Sequence, residues 1–282
     1  MADMPLLDVE GLEVVFPTPQ GDVHAVRDVS LRMGREKIGI VGESGSGKST
    51  VARALMGLVR RPGRVAARRM RLGDLDLAGL DEKGYRAIRG RRIAMILQDP
   101  KFSLNPVLPV GRQIEEILLL HARMSAADRR ARAMAMLADV GIDDPDRVYR
   151  AYPHELSGGM GQRAMIAAML VGSPDLLIAD EPTSALDVVI RDQVLALMER
   201  LAVERGFGLV IISHDLNMVS RFCDRIVVMY RGRVVETLSA GALERAEHPY
   251  TRGLIACLPG IQTRGADLPV LSRMPAWDAA GG

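Results

Sequence analysis

The run Gly42-Glu43-Ser44-Gly45-Ser46-Gly47-Lys48-Ser49-Thr50 constrains this chain more than any other feature, because it satisfies G-x-x-x-x-G-K-[ST] in full. The pattern carries meaning only between a strand and a helix. Both are predicted here, an apolar strand over Lys37–Val41 and a helix over Val51–Val59. The residue types follow from the chemistry of holding phosphate. Glycines let the backbone wrap closely around oxygens, and free N–H groups at a helix start attract anions. Lys48 adds a point charge for the terminal phosphates, and the Ser49 hydroxyl is placed to ligate Mg²⁺. Only four lysines occur, Lys37, Lys48, Lys83 and Lys101, and one of them falls in this loop. By itself the loop says only that a nucleotide triphosphate is bound; GTPases and small-molecule kinases share it.

A second element narrows the chemistry. Leu176-Leu177-Ile178-Ala179-Asp180-Glu181 is an apolar strand ending in two carboxylates. Asp180 at the strand tip is expected to hold Mg²⁺, and Glu181 to orient and polarise an attacking water. Leu156-Ser157-Gly158-Gly159-Met160-Gly161-Gln162-Arg163 follows a different logic. Ser157 starts a helix whose first turn carries two glycines, so its hydroxyl and the exposed amides form a second anion site.

The remaining pattern predicts an α/β chain. Val9–Phe16 and Ala25–Met33 alternate as half-buried antiparallel strands around the turn-rich stretch 17–22. Ile93–Leu97, Leu176–Ala179 and Leu209–Ile212 read as strands buried on both faces, and Ile226–Tyr230 and Arg233–Thr237 as closing strands. Helical spacing runs from about Val110 to Val140, with further helices over Gly159–Val171 and Val188–Glu204. Strands alternating with helices imply a parallel sheet.

Composition excludes several classes. The chain has 282 residues, 48% hydrophobic and 26% charged, with 37 basic against 35 acidic residues. That balance offers no clustered basic face for nucleic acid. No apolar run approaches the roughly 20 residues needed to span a bilayer, and Met1–Glu10 has no basic n-region. A membrane role is therefore expected to be peripheral, through a protein partner. The two cysteines, Cys223 and Cys257, are expected to be free thiols.

Taken together, the motifs resemble those of ABC ATPases. Leu156–Arg163 is similar to the LSGGQ signature, and phosphate loop, signature and acidic pair appear in that family's order over about Leu6 to Leu258. The resemblance implies a P-loop NTPase (RecA-like) parallel-sheet core with an antiparallel β subdomain and an inserted α-helical subdomain. It implies one ATPase domain over 1–265, its helical subdomain at about 101–172, and a short tail over 266–282, expected to be loosely held. It also implies further roles. Gln98 stands where the family's Q-loop glutamine senses Mg²⁺ and water, Ser184-Ala185-Leu186-Asp187 resembles the D-loop, His214 resembles the switch histidine at the γ-phosphate, and Phe16 resembles the aromatic that stacks on adenine. ATP would lie between the phosphate loop of one cassette and Ser157, Gly158 and Gly159 of a second.

Several segments are similar to the dipeptide, oligopeptide and nickel importer branch: Gln98-Asp99-Pro100, Ser103-Leu104-Asn105-Pro106, Tyr152–Gly159 and His248-Pro249-Tyr250-Thr251-Arg252. The resemblance then implies ATP and Mg²⁺ as cofactors. As partners it implies a second ATPase subunit (a paralogue or the same chain), two membrane permease subunits and an extracytoplasmic solute-binding protein. It implies the cytoplasmic face of the membrane as the location, and as cargo peptides or, alternatively, nickel, a metal chelate or an opine. Two departures stand out. No cysteine cluster follows Cys257, and Gly161 replaces a long polar residue at a helix-interior cost of roughly 1 kcal/mol. Two other classes stand as alternatives: a soluble ABC ATPase, which usually carries two cassettes or a long coiled-coil insertion, and a non-hydrolysing regulatory cassette, which often lacks the Glu or the His present here. No N-K-x-D guanine motif is present.

Overall fold

The structure is a computed structural model that describes residues 4–97, 104–184, 186–258 and 277. The chain divides into two compact units, Met1–Gly79 with Val210–Gly282, and Leu80–Leu209.

In the first unit, β1 (Leu7–Thr18) and β2 (Gly21–Met33) form an antiparallel hairpin paired from Leu7↔Met33 to Thr18↔Gly21. The turn is shorter than predicted because Pro17 and Thr18 pair with Asp22 and Gly21. Leu7 and Val9 are buried, and so are Leu12 and Val14. A strict period of two would put these pairs on opposite faces. The register shift between Val9 and Leu12 inserts the extra residue that keeps all four in the core.

β4 (Arg64–Ala66) and β5 (Arg69–Leu72) pair with β1, and β6 (Leu75–Asp76) pairs with β5, giving the order β2-β1-β5-β6. The sequence reading does not anticipate these strands, because arginines dilute their alternation. Met70 and Leu72 are buried, while Arg64, Arg68 and Arg69 form exposed ion pairs with Asp22, with Glu10 and Asp28, and with Asp8 and Glu10. Such pairs contribute little, about 0–1 kcal/mol each.

The same unit holds β3 (Lys37–Val41), parallel to β10 (Arg225–Tyr230), with β11 (Arg233–Ser239) antiparallel on β10. α1 (Lys48–Leu55) follows β3 and starts three residues earlier than the spacing predicts. β9 (Gly208–Ser213) begins in the second unit and ends in the first. It leads into α8 (Leu216–Phe222), which packs on β3, and the unit also contains α9 (Pro249–Ala256).

In the second unit, β7 (Ile93–Ile96) and β8 (Leu176–Asp180) pair in parallel from Ile93↔Leu176 to Ile96↔Ala179, every residue buried. Asp175 anchors the start of the pair: its carboxylate accepts from the Arg92 guanidinium and its N–H donates to the Arg92 carbonyl. α2 (Glu82–Ile88) precedes β7. The predicted helical spacing over Val110–Val140 resolves into α3 (Val110–His121) and α4 (Ala126–Asp139), because Ser125 caps a new helix by accepting from Asp128 N–H at 3.1 Å. α5 (Pro145–Arg150), α6 (Gly158–Leu170) and α7 (Val188–Arg205) complete the unit. α4 packs on α3, α5 and α6, and Ile114, Leu118, Met136, Leu137 and Val148 are buried.

Each unit thus contains a parallel strand pair with a helix on it. The antiparallel sheet β2-β1-β5-β6, with β4 on β1, and the α3–α6 helices correspond to the antiparallel β subdomain and the inserted α-helical subdomain of the expected fold class. No helix among the described residues is long and apolar enough to cross a membrane. Neither cysteine forms a disulfide, and burial pushes the Cys223 thiol up to about 12, which keeps it protonated.

Candidate functional site

The phosphate loop lies in the first unit, between β3 and α1. Gly42 and Gly47 have φ of 150° and 100°, and a Cβ on either would sit 2.1 Å from the Met229 carbonyl oxygen or 2.4 Å from that of Ala25. No other residue type fits there. The loop is strapped to β10–β11 as well, since Gly232 N–H donates to the Ser46 carbonyl at 2.9 Å. Lys48 is 7% exposed, and its ammonium donates to the carbonyls of Gly42 and Glu43 at 2.7 and 2.8 Å, with Ser46 Oγ at 3.4 Å. These acceptors compensate the buried charge.

α1 starts at Gly47 without a side-chain cap and without an acid in its first turn. Its amides are therefore presented as an anion site. A cavity of about 640 Å³ adjoins Gly45 and is lined by Arg27, Arg231 and Arg233, which gives the approach to the loop one sign of charge. Phe16 is half-buried on β1, opposite Val23 on β2, with its ring close against Gly63. His214 is exposed directly after β9, ahead of α8, whose cap Asp215 accepts from Met218 N–H at 2.9 Å.

The second unit carries the other predicted residues. Asp180, 6% exposed, ends β8. Glu181 follows with φ of 51°, a left-handed conformation that non-glycine residues seldom adopt. The turn is held by Ser184, whose N–H and hydroxyl both donate to the Glu181 carbonyl, at 3.3 and 3.2 Å. Asp187 then caps α7 by accepting from Ile190 N–H at 3.0 Å.

Ser157 caps α6, accepting from Met160 N–H at 3.4 Å, and both Ser157 and Gly158 are exposed. A Cβ on Gly158 would meet only Leu186 at 3.9 Å, so the helix start is open to an approaching anion. Gly161 is buried and its N–H donates to the Ser157 carbonyl at 2.8 Å, so the helix is intact through this position. Gln98 and Ala185 lie outside the described residues.

Two contributors escape the sequence reading. Gln162, 1% exposed, donates from Nε2 to the Pro182 carbonyl at 2.6 Å and so ties the signature helix to the residue after Glu181. Its only signal is a polar residue on an otherwise buried helix. Tyr250 accepts a hydrogen bond from Glu43 N–H at 2.9 Å, across more than two hundred residues of sequence, and no local pattern announces that.

The donors suit magnesium and a nucleotide. A hydroxyl and a carboxylate are hard oxygen ligands, backbone N–H groups bind phosphate oxygens, and no group of three or more His, Cys, Asp or Glu among the described residues could hold a metal unaided. Mg²⁺ needs no such cage, because it keeps waters and phosphate oxygens.

A family profile described as ABC transporter matches residues 26–184. The chain is 43% identical over 280 residues to the oligopeptide transport ATP-binding protein OppD of Salmonella typhimurium, covering 96% of this chain and 83% of that one. It is 46% identical over 258 residues to the dipeptide transport ATP-binding protein DppD of Escherichia coli, covering 91% and 79%. Among solved structures, the dimeric bacterial ABC transporter cassette MJ0796 matches with a TM-score of 0.73 at 29% identity, over 83% of this chain and 98% of that one. The same cassette in a post-hydrolysis state, bound to ADP and Pi, matches at 0.72 with 29% identity over the same shares of both chains. Likeness of this extent, along nearly the whole chain and in the fold, settles the kinship: the chain belongs to the ABC transporter family, as an ATP-binding subunit that hydrolyses its nucleotide.

Proposed function

We propose that this chain powers the import of peptides or related small solutes, paired with a second cassette (a paralogue or its own copy) on two membrane permease subunits. An extracytoplasmic solute-binding protein delivers the cargo, and the chain sits peripherally on the cytoplasmic face. The printed functions of the OppD and DppD relatives support the cargo class. The loop before α3 supports a permease partner. Gln113 Nε2 donates to the carbonyls of Asn105 and Leu108 at 3.0 and 2.8 Å and holds this loop out, with Val107 74% exposed. Leu119 and Leu120 on α3 are also exposed, and apolar side chains grouped on a helical lobe suit a protein partner. We assign the ATPase domain to 1–265, with this lobe, about 101–172, as its helical subdomain and 266–282 as the tail.

The residue roles follow. Amides of Gly45 to Thr50, with Gly42, Glu43 and Ser44 shaping the loop, hold the phosphates, and Lys48 turns its ammonium toward them. Phe16 stacks on the base. Ser49, Asp180 and Gln98 would hold Mg²⁺, which would supply charge neutralisation on the phosphate oxygens. Ser157, Gly158 and Gly159 cap the nucleotide held by the opposite cassette. Glu181 orients the attacking water and takes its proton, and His214 stabilises the γ-phosphate. Closure of the pair favours one of two permease conformations, which is how hydrolysis couples to transport.

The observation that carries hydrolysis, beyond binding, is Glu181 held at positive φ directly after a buried strand. The test is ATPase activity of the chain reconstituted with its permeases and binding protein. Peptide-stimulated turnover is the expected result. Turnover indifferent to peptides but stimulated by a nickel chelate would overturn the cargo class.

A further inference from the structure

Tyr250 is fully buried in the first turn of α9, yet its hydroxyl serves the phosphate loop, accepting from Glu43 N–H at 2.9 Å. That N–H and the Gly42 carbonyl belong to one planar peptide unit. The carbonyl end of the unit accepts from the Lys48 ammonium at 2.7 Å. Tyr250 therefore grips one end of the peptide whose other end holds Lys48. Gly42 has φ of 150°, and with no side chain of its own it leaves this peptide free to turn unless something else orients it.

Tyr250 is in turn fixed from several sides. Its ring lies 4.5 Å from that of Tyr230 and 5.6 Å from that of Trp277, which also meets Tyr230 at 5.9 Å. His248 caps α9 by accepting Tyr250 N–H on Nδ1 at 3.2 Å. The Glu236 carboxylate accepts from the N–H groups of Glu247 and His248 at 2.7 and 3.3 Å. A phenol in such an aromatic cage needs a partner for its oxygen, and the partner is a phosphate-loop amide.

We propose that Tyr250 is a positioning residue for ATP hydrolysis: it orients the Gly42–Glu43 peptide and, through it, the Lys48 ammonium. Trp277, seated on the same ring, reports the state of the loop. This inference rests on the reading that the loop binds ATP.

Tyr250→Phe keeps the ring and removes the acceptor. In the full chain, affinity for trinitrophenyl-ATP falls about tenfold, whereas in the Lys48→Ala background the same change costs less than twofold, because the group being positioned is gone. A merely structural tyrosine would weaken both backgrounds equally, and that result would overturn the proposal, as would an unchanged affinity in Tyr250→Phe. Trp277 is the only tryptophan, so its emission isolates the cluster. It shifts when ATP is added to the wild type and stays still in Tyr250→Phe. Wild-type emission that does not move at saturating ATP sinks the proposal even if Tyr250→Phe does not fold. Wild type that binds no nucleotide at all would instead refute the ATP reading.

Discussion

The two strand-end turns to which we assign the chemistry solve the same geometric problem in opposite ways. After β3, the chain turns through Gly42, Gly45 and Gly47, all at positive φ. After β8, it turns through Glu181 at φ 51°, with a full side chain in a conformation that glycine adopts freely. The difference follows from which atoms are needed. A phosphate cradle is made of backbone amides, so side chains there are obstacles and glycine is the unstrained choice. On the role proposed for Glu181, activation of water needs a carboxylate, so the turn after β8 keeps its side chain at a strain of about 1–3 kcal/mol. Ser184, which donates twice to the Glu181 carbonyl, is part of what holds that strained turn.

Substitutions can set the two turns against each other. The largest expected effect is Glu181→Gln, which keeps shape and loses the base: turnover falls by about 10²–10⁴-fold while nucleotide affinity stays within about threefold. Steady-state ATPase and equilibrium binding measure both, and surviving turnover would show that the turn is strained for some purpose other than hydrolysis.

Gly47→Ala should lower unfolding stability by about 2 kcal/mol and abolish nucleotide binding, since the new Cβ meets the Ala25 carbonyl at 2.4 Å in a φ region alanine avoids. Urea titration and ligand binding would record it. At the other turn the sign reverses. Glu181→Gly and Glu181→Ala both lack the carboxylate, but the glycine variant should be the more stable by about 1 kcal/mol, because it relaxes the backbone. Equal stabilities would mean that the φ of Glu181 is not strained.

The smallest effect concerns support of the phosphate loop through α9. Burial holds the His248 imidazole below its ordinary pKa, with Glu236 opposing. Just below about pH 6.5 the unfolded chain then binds more protons than the folded one, so this contribution is present above that window and is lost as pH falls through it. Protonation would also remove the Nδ1 acceptor of Tyr250 N–H. Between pH 7.5 and 5.5, ADP affinity of the wild type should drop more than that of His248→Asn, which caps without titrating. Parallel profiles would release the loop from any dependence on α9.

Legibility differed between these regions for a physical reason. The loop Gly42–Thr50, the strand end at Asp180 and the Ser157 helix start lie where the sequence reading puts them because each is a local motif, with residue types that follow from the group it is proposed to hold. Strands β3, β8 and β10 were found within a residue or two, because buried strands are continuous apolar runs. β4–β6 were hidden by arginines in and between them, whose charges are paired with acids on β1 and β2. The ties from Gln162 to Pro182 and from Tyr250 to Glu43 left no trace either, since one residue of each pair contributes only a backbone group.

The sequence by itself determined the local arrangement on which the proposed roles rest: a glycine-lined loop between β3 and α1, two carboxylates at the end of β8, and a serine-capped helix start at Ser157. Those properties reside in runs of a few residues whose spacing sets their geometry. Tertiary structure alone decided how the Lys48 ammonium is aimed, that Glu181 sits at positive φ, and that a C-terminal tyrosine braces the phosphate loop. Each of these depends on hydrogen bonds and packing between segments far apart in the chain or on a backbone angle, and a backbone N–H or carbonyl is the same group whatever residue carries it.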